Sequence, residues 1–203
     1  EIRFSPVSGE LAGGEFSGDI VLNAAPEFRY RMDIEGTGAD VKALLQGARV
    51  EAEINGKLQA SVRVEGSGGL SSMVGQGLAS VVGGRVSQLP AQQMVASLLQ
   101  VPSLEEIEFE ECVVEFTLGD NILETTVIRL LSPLVQVTGR GSVSLEHNTL
   151  DHDMMLALSE EMLSGLPAPL LKAFSRREDG FYTLEFRLWG AFNSPQTDLQ
   201  QKI

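Results

Sequence analysis

Strict alternation of apolar and polar residues constrains this chain more than any other feature. Between Glu27 and Glu35, the residues Phe28, Tyr30, Met32 and Ile34 alternate with Glu27, Arg29, Arg31, Asp33 and Glu35. Between Lys57 and Glu65, Leu58, Ala60, Val62 and Val64 alternate with Lys57, Gln59, Ser61, Arg63 and Glu65. Successive side chains of a strand point to opposite faces, so each run predicts a strand with one dry face and one wet face.

The pattern recurs along the chain. Phe16, Gly18, Ile20 and Leu22 share a face ahead of a turn at Asn23–Pro26. Cys112, Val114, Phe116 and Leu118 share another, closed by the turn Gly119-Asp120-Asn121. Ile107 and Phe109 are out of phase with that set, which predicts a bulge near Glu110–Glu111. Val135, Val137, Val143 and Leu145 alternate with polar neighbours, as do Tyr182, Leu184, Phe186 and Leu188. Three stretches read as helix. They are 39–46, then 90–100 with Met94, Val95, Leu98 and Leu99 on one side, then 159–174, interrupted at Gly165 and Pro167. The stretch 66–84 is rich in Gly and Ser, and Gly75-Gln76-Gly77-Leu78-Ala79 with Arg85-Val86 reads as a short, flexible hairpin.

The fold class expected is therefore mainly β: an antiparallel meander of about ten strands in one domain over residues 1–203, with two or three short helices. No βαβ alternation calls for a parallel sheet. A sheet that is apolar on one face can cover it with a second sheet, curl into a barrel or groove, or keep it for a ligand.

Charge and composition exclude several functions. With 28 acidic against 15 scattered basic residues, the net charge of −13 disfavours nucleic acid and polybasic docking on anionic membranes. Cys112 is the only cysteine, so no internal disulfide forms; no cation lies nearby in sequence to activate it, and it reads as structural. No apolar run reaches the length that spans a bilayer. The chain opens on Glu1 without a leader and is expected to be a mature product or a part of a longer protein.

No catalytic constellation emerges, and the expectation is a protein that is not an enzyme and holds no metal or cofactor. His147 and His152, with Asp151 and Asp153, read as a solvated turn around Asn148-Thr149, lacking a third strong ligand. The acidic run Glu105–Glu111 reads as the wet face of an edge strand. Gly36-Thr37-Gly38 and Gly66-Ser67-Gly68-Gly69 lack the Lys-Ser/Thr of a phosphate loop and read as turns.

One stretch carries a family likeness. Leu130-Leu131-Ser132-Pro133-Leu134-Val135-Gln136-Val137-Thr138-Gly139-Arg140-Gly141-Ser142-Val143-Ser144-Leu145, followed by Thr149-Leu150-Asp151, resembles the C-terminal region of AsmA-like proteins. Trp189-Gly190-Ala191-Phe192-Asn193-Ser194-Pro195 resembles that family's closing motif, with Ala191 where Thr is common. Gly56-Lys57-Leu58 to Gly66, Gly75-Gln76-Gly77 to Arg85-Val86, and the helix after Leu89-Pro90 are similar to its upstream elements. The motifs are loose, and their order carries the likeness.

The resemblance implies a periplasmic body, related to the TamB and YhdP group, anchored in the inner membrane by a helix outside this sequence. It implies an open, curled β-groove with an apolar wall, a role in outer-membrane biogenesis, and phospholipid acyl chains as the ligand, with other envelope proteins as further partners. The lipid-facing residues expected are Phe28, Tyr30, Met32, Ile34, Leu58, Val62, Val64, Met94, Val114, Phe116, Val135, Val137, Val143, Leu184 and Phe186. The alternative is a structural or protein-binding module of the envelope with a closed core. A cavity behind the apolar face distinguishes the two. The helix at 90–100 is expected either to cap one end of that wall or to cover a sheet edge.

Overall fold

The structure, a computed structural model, describes residues 1–24, 26–47, 52–69, 72–164 and 166–203. Strands β1 (Ile2–Leu11), β2 (Gly14–Asn23), β3 (Arg29–Asp40), β4 (Glu53–Ser67) and β5 (Val74–Ser87) lie side by side in chain order. β6 (Glu106–Gly119), β7 (Ile122–Leu131), β8 (Val135–Ser144) and β9 (Thr149–Leu158) continue the same antiparallel sheet. β11 (Tyr182–Ala191) pairs with β9 and carries two short strands, β10 (Ser175–Arg176) and β12 (Ser194–Thr197). The expected antiparallel meander is thus present. It has ten long strands and two short ones, and it is open: among the described residues β1 pairs with β2 alone.

Five short helices accompany the sheet: α1 (Val41–Gly47), α2 (Pro90–Leu99), α3 (Glu160–Leu163), α4 (Ala168–Leu171) and α5 (Leu199–Lys202). α1 starts later than expected because Ala39 and Asp40 still pair with Leu58 and Lys57 of β4. The Asp40 carboxylate then accepts from the Ala43 N–H at 3.1 Å, satisfying one of the free donors of the first helical turn. The expected helix over 159–174 is two pieces. Ser159 Oγ accepts from Met162 N–H to start α3, and Pro167 restarts the chain as α4. Gly165 lies outside the described residues.

Two tight hairpins have a local cause. Ala12 and Gly13, at φ 52° and 74°, join β1 to β2, and Asp120 and Asn121, at 50° and 59°, join β6 to β7. Positive φ at both central residues matches the twist of the flanking strands. Gly75–Ala79 and Arg85-Val86 do not form a small hairpin. Residues 74–87 form one continuous strand, β5, held between β4 and β6. The phase change at Glu110 is present and is shared. Gly83 (φ 60°) shifts β5 at the same level, the β5–β6 register runs on unbroken, and β4 absorbs the difference at Gly56.

The acidic run belongs to β6, a central strand rather than an edge. Arg85 reaches Glu106 at 3.2 Å and Glu108 at 2.6 Å, and Arg129 reaches Glu111 at 3.0 Å. Similar cross-strand pairs, Arg31 with Glu65 and Arg63 with Asp33, lie on the same outer face. These exposed pairs are worth at most about 1 kcal/mol each and act mainly to keep that face wet. The other face collects the core. Leu99 of α2, Leu104 of the turn Pro102–Leu104, Leu158 of β9 and Leu199 of α5 are fully enclosed together with residues of β5 to β11. Burying one such leucine contributes about 1.5–3 kcal/mol.

Candidate functional site

Directly paired residues of a sheet share a face, so the register strings inner residues into rows that cross the strands. One row runs Phe4, Ile20, Met32, Val64, Gly75, Leu118, Leu123, Val143, Leu150, Gly190. A second runs Gly9, Phe16, Gly36, Ala60, Ala79, Val114, Ile128, Gly139, Met154, Phe186. Neither contains a polar side chain. At an inter-strand spacing of about 4.8 Å, ten strands make an apolar track roughly 43 Å long.

Along part of this track the inner face encloses a cavity of about 360 Å³. β4 to β9 and β11 supply most of its wall, through residues such as Leu58, Val81, Phe109, Leu130, Val137, Leu156 and Phe186. α2 closes one side with Leu89, Ala91, Gln92 and Val95, and Val41 of α1 and Leu104 complete the wall. The helix therefore lies over the apolar face, and it also runs beside the short strand β12. The volume is at the lower end of the range for cavities that hold small ligands, about 300–1,000 Å³.

Besides the Met154 thioether, two wall residues carry heteroatoms. Gln92 anchors α2: its Nε2 donates to the Leu104 carbonyl at 2.8 Å and to the Val86 carbonyl at 3.2 Å. Both amide protons are then used, which fixes the orientation of the side chain. Its Oε1 is the enclosed side-chain polar atom without a partner among the described residues. Cys112 of β6 is the other. Burial, and secondarily the Glu111 carboxylate, pushes its thiol pKa up, so it is protonated at neutral pH.

The expected lipid-facing residues divide by depth. Leu58, Val114, Val137 and Phe186 line the cavity. Val135 and Leu184 are buried in the core beside it, and Met94 packs on that core without reaching the cavity wall. Tyr30, Met32, Ile34, Val62, Val64, Phe116 and Val143 lie on the inner rows outside the cavity. Phe28 precedes β3, is 48 % exposed, and stands 6.2 Å from the Tyr30 ring. Towards β1 the inner face is bare, with Phe4 48 % and Ile2 55 % exposed.

His152 contradicts its reading as a solvated turn residue. It sits inside β9, 7 % exposed, on the inner row Phe116, Thr125, Gly141, His152, Leu188. Its Nε2 is 2.7 Å from Thr125 Oγ1, which also reaches the Gly141 carbonyl at 3.1 Å. Gly141 makes room: a Cβ there would fall 2.7 Å from the imidazole Cγ. Burial holds the His152 pKa below its ordinary value, against the opposing pull of Asp151 and Asp153. The signal was available, because Leu150, His152, Met154, Leu156 and Leu158 keep the strand period.

On the outer face of the same strands, Arg187 grips Asp151 at 2.7 and 2.5 Å and holds that carboxylate below its usual pKa. Among the described residues no three His, Cys, Asp or Glu side chains converge on one point, and no helix is long and apolar enough to cross a membrane. No protein-family model matches the chain, and no curated protein or solved structure matches it either.

Proposed function

We propose that this chain is a segment of an AsmA-like protein of the bacterial envelope, acting in the periplasm as an open β-groove that holds phospholipid acyl chains during transport between membranes. The observation that carries the reading is the pair of unbroken apolar rows across ten strands, leading over a cavity whose wall is hydrocarbon but for Gln92, Cys112 and the Met154 thioether. A carrier of acyl chains needs this and little more. Each methylene kept from water is worth about 0.8 kcal/mol, so a sixteen-carbon chain gains roughly 12 kcal/mol from a dry wall. The acidic outer face keeps the groove soluble and repels anionic lipid headgroups from the wrong side. Anchoring in the inner membrane by a helix outside this sequence belongs to the same proposal, and the protein acts as a carrier without catalysing a reaction.

Native mass spectrometry of the protein purified from a two-membrane bacterium tests the proposal. Phospholipid retained on the folded protein, and lost when Phe186→Asp is introduced, is the expected result. Protein that retains no lipid and takes up none from vesicles overturns it. A second reading, an interaction module, draws on β1, whose outer edge is unpaired among the described residues and whose Ile2, Phe4 and Leu11 are exposed. A strand added there by another envelope protein would cover them. Loss of partner capture with Arg3→Pro, at unchanged lipid binding, supports that reading.

A further inference from the structure

The third ten-strand row breaks the dry pattern at one place. Val7, Gly18, Ile34, Val62, Gly77 and Phe116 lead to Thr125, and Gly141, His152 and Leu188 follow. Thr125 and His152 are its two polar side chains, and they are bonded to each other. Neither side chain lines the cavity, but their neighbours do. Leu188, paired with His152, and Met154, two residues along β9 on the same face, both line it.

We propose that His152 and Thr125 form the polar end of a binding site for a long-chain carboxylic acid whose hydrocarbon lies in the adjoining cavity. The inference rests on the reading of the inner face as a lipid groove and adds the headgroup it accepts at this point. Its chemistry follows from the proton count. Thr125 has one hydroxyl proton, and the Gly141 carbonyl can only accept, so a relay runs from Nε2–H to Oγ1 and from the hydroxyl to the carbonyl oxygen. Nδ1 then remains. Among the described residues no hydrogen bond reaches it, and it is open to solvent or ligand, since Gln92 Oε1 is the one enclosed side-chain polar atom there without a partner.

A carboxylic acid completes this arrangement without leaving a net charge in the groove. Its proton passes to Nδ1, giving a carboxylate beside an imidazolium, and the relay through Thr125 supports the cation from the other side. The pair is neutral before and after the transfer, so neither ion is buried alone. A phosphate dianion is a poorer fit, because none of the three inner rows offers a Lys or Arg to balance the second charge. The charged groups nearby all belong to the opposite face. A hollow there is lined by Glu124, Arg140, Asp151, Asp153 and Arg187, and Thr125 and Gly141 also border it, whereas His152 is not among its residues.

Competition against a bound fluorescent apolar probe, comparing dodecanoic acid with dodecanol at neutral pH, tests the inference. The wild-type protein is expected to prefer the acid by about tenfold. In His152→Leu the alcohol keeps its affinity and the preference disappears. Acid and alcohol binding equally to wild type, or an acid preference that survives in His152→Leu, overturns the inference while leaving the groove reading intact. Neither ligand binding overturns both. Should His152→Leu fail to fold, ring ¹⁵N spectra of the wild type serve instead, since the chain has only two histidines. Dodecanoic acid should convert His152 to the imidazolium and leave the exposed His147 unchanged. No conversion of His152 in the bound state overturns the inference.

Discussion

Phe116 lies flat across Gly77: a Cβ at Gly77 would fall 2.5 Å from the ring Cζ and 2.9 Å from Cε1. Gly84 stands in the same relation to Phe109, and Gly139 to Met154. Large inner side chains thus lie along the sheet over glycines of the neighbouring strand. Gly77→Val is expected to destabilise the protein by about 1–3 kcal/mol, because the ring must leave its place. Gly119→Ala, whose Cβ would meet only Val74 at 3.9 Å, is the control and should stay within about 0.5 kcal/mol of wild type. Equal denaturation midpoints for the two variants would contradict this packing.

The two faces of the sheet predict opposite responses to a new charge. Phe186→Asp and Leu156→Asp put an unpaired carboxylate among buried hydrocarbon and should destabilise by several kcal/mol, or about 3 kcal/mol or more each. Thr138→Asp and Glu185→Gln, on the outer face, should change stability by about 0.5 kcal/mol or less. A melting series in which both sets behave alike sinks the assignment of faces.

His152 makes stability depend on pH in a defined direction. Its folded pKa lies below the ordinary 6.5, so the unfolded chain binds the proton more readily. The contribution is therefore complete above about pH 6.5 and is lost as the pH falls from there through the lowered folded value. Ligand-free wild-type protein should lose stability between about pH 7 and about pH 5.5, and His152→Leu should lose less over that window. Identical pH slopes in urea titrations would refute it.

Much of the sheet was legible because its strands keep period two where one face is dry, as at Tyr30–Ile34 and Leu58–Val64. β5 was not legible, and the reason is the packing around it. Its inner positions are Gly75, Gly77 and Ala79, while Val74, Leu78 and Val82 point outward and are exposed. The hydropathy pattern is inverted there because Val64 and Phe116, from the strands on either side, fill the space that side chains of β5 would take. His152 was missed for a related reason: polarity next to Asp151 and Asp153 reads as solvent exposure, whereas the strand period places the ring inside. Of the candidate site, Leu58, Val114, Val137 and Phe186 were legible as inner residues. The cavity was not, since it depends on how the sheet brings β4 and β11 to one space and on α2 lying over it.

Cys112 allows the most direct measurement of the central claim, that an acyl chain occupies this cavity. It is the only cysteine, it lines the wall, and its raised pKa calls for a slightly alkaline labelling buffer. Labelling by a small neutral maleimide should slow severalfold when the protein is saturated with a long-chain phospholipid or alcohol, and return to the starting rate once the lipid is extracted. An unchanged labelling rate on protein shown by mass to carry the lipid would place the chain elsewhere and contradict the account.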